Sequence, residues 1–220
     1  MMRPRSKSDR WVLTEVLVEA GLTLITEAYN SREMTKLGRA RQVRNGLMVA
    51  MLAMHPIRSK NFATLEIGRS LVEIKNSWWI VLSASDIKEV RPDERRVDDL
   101  LQRALDRYLR KYRPVLTGAD QSAANALWVS SNDGAPMSYA GVERVITETT
   151  RATVGVAVSP HLFRTSIASS AAILGGANPH LASALLHHTD HSVTEADYNR
   201  ASSLSAAQSY QAIVQGYIKD

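Results

Sequence analysis

The chain has 220 residues, a net charge of +5 and a pI near 9.6, with 45% hydrophobic and 22% charged residues. That balance gives enough chain for one full core and excludes a disordered or fibrous polymer, while the basic excess favours an acidic partner, nucleic acid first. The lack of cysteine excludes disulfides and thiolate metal sites and suits a reducing cytoplasm, and no apolar run approaches the ~18 residues of a membrane span.

Residues 1–10 (MMRPRSKSDR) read as a basic, flexible arm. Glu15, Glu19 and Glu27 interrupt the apolar pattern that follows, so this start does not read as a secretion signal. From Trp11 to Tyr29, apolar residues at helical spacing (Val12, Val16, Leu22, Ile25) predict a first helix, broken at Asn30-Ser31. Thr35 is placed to cap a second helix reaching Met54, in which Met48, Met51 and Met54 are core filler. His55-Pro56 ends it, because proline lacks a donor and restricts the residue before it. Arg58 follows at once, then a short helix or turn closing at Gly68. Cations crowd this first third: Arg32, Lys36, Arg39, Arg41, Arg44, Arg58, Lys60 and Arg69 follow those of the arm.

The convincing β region comes next. SLVEI (70–74), WWIVLS (78–83) and a strand around Arg95–Val97 predict a small three-stranded antiparallel sheet within a mainly α-helical α+β fold. Lys75 and Lys88 lie in the two connections. Val97 to Tyr112 reads as a charged amphipathic helix, and Pro114 to Ala126 as a loop. After the polar turn in ALWVSSNDGAPMS, Ser138 or Tyr139 starts a helix to about Val154, whose Arg144 and Arg151 suit a DNA backbone.

The chemistry concentrates between Ser159 and Tyr198. Ser159-Pro160 is a helix start; His161 and Arg164, three apart, share a face of that helix. Small residues (Ser166, Ala168, Ser169, Ala171, Ala172) permit close packing until Gly175-Gly176. Asn178-Pro179 opens a second helix ending at His187-His188, and Thr194 caps a third segment carrying Tyr198. Ser203 to Ile218 is again amphipathic. A planar guanidinium suits phosphate oxygens, imidazoles move protons near neutral pH, and an aimed phenol can act as a nucleophile. Together they point to phosphoryl transfer through a tyrosine. Six histidines without a carboxylate at ligand spacing argue against zinc.

His161-x-x-Arg164, His188 and Tyr198, in this order and spacing, resemble the C-terminal signature of the tyrosine recombinases, the phage integrase family. HPIRSKNF resembles the segment in which that family carries its first catalytic arginine, with Arg58 as the match, and Lys88 in SDIKEVRP matches the hairpin lysine, with Lys75 as its rival. Two departures are visible: His187 stands where the family usually has glycine, and Asn61 replaces the usual acid three residues after Arg58. The resemblance spans most of the chain from about Trp11, and implies the family's DNA breaking-rejoining fold, with residues 11–220 as the catalytic domain and the core-binding domain absent.

The resemblance implies site-specific cleavage and rejoining of double-stranded DNA through a 3′-phosphotyrosyl link, with no metal or cofactor. Tyr198 would be the nucleophile, Arg58 and Arg164 the phosphate clamp, Lys88 the acid for the leaving 5′-oxygen, His161 an aid to tyrosine deprotonation and His188 a donor to a phosphate oxygen. The partners implied are DNA and further protomers, four on DNA, in a bacterial-type cytoplasm near the nucleoid; integration, excision and other mobile-element roles are not distinguished. The rival readings are relaxation of DNA like a type IB topoisomerase and a degenerate remnant that binds DNA without catalysis.

Overall fold

A computed structural model of the chain describes residues 12–83, 93–118 and 125–174. They form a mostly helical α+β structure with one small antiparallel sheet. Helix α1 spans Thr14–Asn30 and α2 Lys36–Met54; a short α3 follows at Ser59–Ala63. The sheet has order β1-β2-β3, with β1 at Leu71–Ile74, β2 at Ser77–Leu82 and β3 at Asp93–Arg96. After it come α4 (Asp99–Arg107), a π-helical turn (Tyr108–Tyr112), α5 (Arg113–Thr117), α6 (Tyr139–Val154) and α7 (Pro160–Leu174).

Helix α2 is the spine. Gly46 and every residue from Leu47 to Ala53 are buried, as expected of a helix apolar on all sides. Thr35 caps its start by accepting the Gly38 amide, and Met48 and Met51 are fully buried core. Helix α1 lies across it on a face of Leu17, Gly21, Ile25 and Ala28. The two backbones meet at Gly21 and Gly46: a Cβ on either would stand 2.6 Å from the other's carbonyl oxygen. Hydrogen at both positions is a steric requirement of the crossing.

The sheet matches the expected strands. Lys75 and Asn76, both with left-handed φ (49° and 60°), form the two-residue turn that sets the register Ile74↔Ser77. Along β2, Trp78, Ile80 and Leu82 point to the core. Gln102 of α4 ties the sheet to the helices by accepting the Trp78 amide and donating to the Val97 carbonyl. Trp128 packs between Phe62 and Tyr108, with ring centroids 5.1 and 6.0 Å away, and donates to the Phe62 carbonyl.

One expectation is corrected. Helix does not give way to loop at Pro114; it continues to Thr117. The turn before it widens, with the Arg113 amide bonded to the Tyr108 carbonyl, and that geometry accommodates a proline whose ring would clash with the carbonyl four residues back. Arg44, one of the cations of the basic first third, is only 3% exposed and donates to the Val129 carbonyl and the Asn45 side chain. It is a core anchor, since a buried guanidinium needs its donors satisfied. The arm at 1–10, Lys88, the stretch from Gly175 through His187, His188 and Tyr198, and the segment 203–218 lie outside the described residues.

The Gly21/Gly46 crossing yields a stability prediction. Gly46→Ala gains up to ~1 kcal/mol of helix propensity but drives a methyl into backbone, an overpacking cost of ~1–3 kcal/mol or more. The expected net result is a lower urea midpoint with an unchanged slope; an equal or higher midpoint would show that α1 can step back freely.

Candidate functional site

Arg58, His161 and Arg164 are the sequence-predicted site residues within the described part of the chain. Arg58 caps α3 in extended backbone (φ −61°, ψ 137°), immediately after the turn that ends α2. Its carbonyl accepts the Phe62 amide, and its side chain is half-buried. His161 is exposed in the first turn of α7, and Arg164, half-buried, lies one turn further on.

Local contacts explain why α7 starts where it does. Helix α6 ends at Gly155 in a left-handed conformation (φ 73°), which glycine adopts without a Cβ penalty. Thr150, fully buried, accepts the Val158 amide at 2.9 Å and donates to the Val158 carbonyl, so the α6–α7 connection is pinned to α6. Phe163 and Ile167 of α7 are buried. Further along, the Ser170 hydroxyl accepts the Thr14 amide at 2.9 Å and so caps α1 from another helix.

One bond brings the two arginines' segments together. Arg164 Nη1 donates to the Pro56 carbonyl at 3.0 Å, across 108 residues of sequence. Arg58 is two residues beyond Pro56, so their Cα atoms are at most ~7 Å apart. The tip of the Arg164 side chain and the backbone of Arg58 therefore lie at the same turn, between α2 and α3. A guanidinium offers an anion a planar fork of donors, which suits phosphate oxygens.

The same turn is tied to the β3–α4 connection by His55, whose place before Pro56 marks it in the sequence only as a helix terminator. Its ring is buried, 7% exposed, and Nε2 accepts the Asp98 amide at 3.2 Å. That contact requires an unprotonated Nε2. Burial is the main reason its pKa falls to about 4, and the nearby Arg95 cation lowers it too; the Asp98 carboxylate acts in the opposite sense. Arg95 is paired with Asp93 at 2.7 Å, and the Asp98 carboxylate caps α4 at the Leu100 amide. The available signal was a histidine at the apolar end of α2; its partner 43 residues later was not readable from spacing.

Among the other residues singled out, Lys75 sits in the exposed β1–β2 turn, and Arg144 and Arg151 are exposed on α6. The Asn61 side-chain nitrogen is buried without a hydrogen-bond partner among the described residues. Lys88, His188 and Tyr198 are not placed by the described residues, so the structure neither gathers nor scatters them. Among the described residues, no group of three or more His, Cys, Asp or Glu side chains is arranged to hold a metal ion, and no helix is long and apolar enough to cross a membrane.

No protein-family model matches the sequence, and no curated protein matches it significantly.

His55 gives a pH prediction with a definite sign. Its folded pKa is depressed from the ordinary 6.5 to about 4, so its contribution to stability is complete above pH 6.5 and is lost as pH falls toward 4. The loss is expected to approach ~3 kcal/mol at most. Urea unfolding at pH 7.5, 6, 5 and 4 measures it, and His55→Gln should flatten that part of the profile.

Proposed function

We propose that the chain is the catalytic domain of a tyrosine-type site-specific DNA recombinase, with the fold of the phage integrase family. The observation that supports this reading is the hydrogen bond from Arg164 to the Pro56 carbonyl, which joins the His-x-x-Arg helix to the segment carrying Arg58. Two arginines at one junction suit a phosphate whose non-bridging oxygens gain negative charge in the transition state. The basic chain, with Arg144 and Arg151 exposed, suits a polyanion.

In the proposed reaction the Tyr198 oxygen attacks the scissile phosphorus as the bond to the 5′-oxygen breaks. His161 assists departure of the phenolic proton, and Lys88 donates a proton to the 5′-oxygen. His188 donates to a phosphate oxygen beside Arg58 and Arg164. The product is a 3′-phosphotyrosyl link and a free 5′-hydroxyl. A 5′-hydroxyl from a partner strand then displaces the tyrosine. Phosphodiester energy is held in the covalent link, so neither metal nor nucleotide is needed. Recombination requires further protomers on the DNA, and the compartment that fits is a bacterial-type cytoplasm.

The test is covalent trapping. The full chain is mixed with a pool of nicked duplexes of randomised sequence, whose released fragment cannot religate, and adducts resistant to denaturant are collected. Wild type should form an adduct sensitive to protease, and Tyr198→Phe should form none. Arg58→Ala and Arg164→Ala should each slow its formation by about 10²–10³-fold, as for other lost transition-state donors. An adduct that survives in Tyr198→Phe removes that residue from the role. Retention of duplex by wild type with no adduct would favour the DNA-binding remnant.

A further inference from the structure

The turn between α2 and α3 is tethered on adjacent residues from opposite sides. His55 is held to α2 by its amide, which donates to Met51, and its carbonyl accepts the Ile57 amide at 2.7 Å, folding the chain tightly around Pro56. From the sheet side, the Asp98 amide donates to His55 Nε2; from the α7 side, Arg164 donates to the Pro56 carbonyl. Neighbouring residues in so tight a turn cannot move independently, so a shift of the imidazole is passed to the carbonyl beside it.

We propose that His55 is a positioning residue for the arginine pair: by accepting the Asp98 amide it holds the Pro56 carbonyl where Arg164 reaches it, and thereby sets the spacing of the Arg58 and Arg164 guanidinium groups. This rests on reading that pair as a phosphate clamp. The imidazole does not touch the phosphate; it acts through the turn. It also makes the clamp sensitive to acid. Protonation turns Nε2 from acceptor into donor, opposite the Asp98 N–H, and the tether is lost. The charged groups around the ring divide in sign. Arg95 of β3, itself paired with Asp93, opposes protonation, while the Asp98 carboxylate favours it; the Arg164 guanidinium is bonded to the residue beside it. Burial decides the balance, so the tether is intact at neutral pH.

A well-packed neutral histidine would stabilise the fold without affecting Arg164, and the experiment separates the two roles. The full chain carries labelled arginine, and the Arg164 guanidinium is followed by NMR through its C–N bond rotation, which is slow while Nη1 is held by the Pro56 carbonyl. Affinity is read in parallel with a 30-bp duplex at about 0.1 M salt. His55→Phe keeps an aromatic volume but removes the acceptor; His55→Gln offers an amide oxygen that does not titrate. In wild type, rotation should be slow at pH 7.5 and quicken toward pH 4.5. In His55→Phe it should be faster than in wild type at pH 7.5 and insensitive to pH, with duplex binding weakened about tenfold, in the range for losing a hydrogen bond to a charged group. His55→Gln should restore slow rotation and near wild-type binding, and should remove the acid dependence.

Slow Arg164 rotation and undiminished binding in folded His55→Phe would overturn the proposal. Should that variant fail to fold, the wild-type and His55→Gln pH profiles decide, and identical profiles overturn it. Fast rotation in His55→Phe, with duplex binding and trapping indifferent to both His55→Phe and Arg164→Ala, supports the tether and rejects the clamp.

Discussion

The Arg164 bond to the Pro56 carbonyl is the contact on which the candidate site depends. Proline supplies the acceptor and has no N–H of its own, so the turn presents a carbonyl with no competing donor at that residue. An arginine is suited to reach it, since its planar fork can bond a backbone oxygen through one nitrogen and keep its charge.

The packing of the helices is itself strongly constrained. Helix α2 has no solvent face along its second half, so α1 and the later helices must be built around it. The Gly21/Gly46 contact sets how closely α1 approaches. Buried polar groups then fix the orientation of the layers. Arg44 reaches the Val129 carbonyl, Trp128 the Phe62 carbonyl, and Ser170 the first amide of α1. Each leaves a desolvated donor or acceptor unpaired if the layers slide, which costs more than the bond's own net contribution. Ser170 is instructive because it lies on α7: the helix carrying His161 and Arg164 is positioned by the start of α1 as well as by Thr150.

Much of this architecture was legible because it is local. Thr35 and Ser138 are hydrogen-bonding caps where the pattern put them, His55 closes α2, and Lys75-Asn76 turns β1 into β2. Such features depend on residues a few positions apart. What was not legible has the opposite property. Pro114 reads as a terminator, yet the widened turn at Tyr108–Tyr112, packed by Tyr108 on Trp128 and by Tyr112 on Tyr29, carries the helix past it. Arg44 reads as one more cation of a basic stretch, and its place in the core rests on a carbonyl 85 residues away.

The sequence alone determined where helices and strands begin, which faces are apolar, and which side chains have chemistry suited to a phosphate; spacing along one element decides those matters. Only the tertiary structure decided that Arg164 meets the turn before Arg58, that His55 is a neutral acceptor for Asp98, and that Arg44 belongs to the core. The reason is physical. A hydrogen bond between distant segments depends on the angle at which whole helices pack and on which groups lose water, and neither is encoded in the identity of the two residues that finally touch.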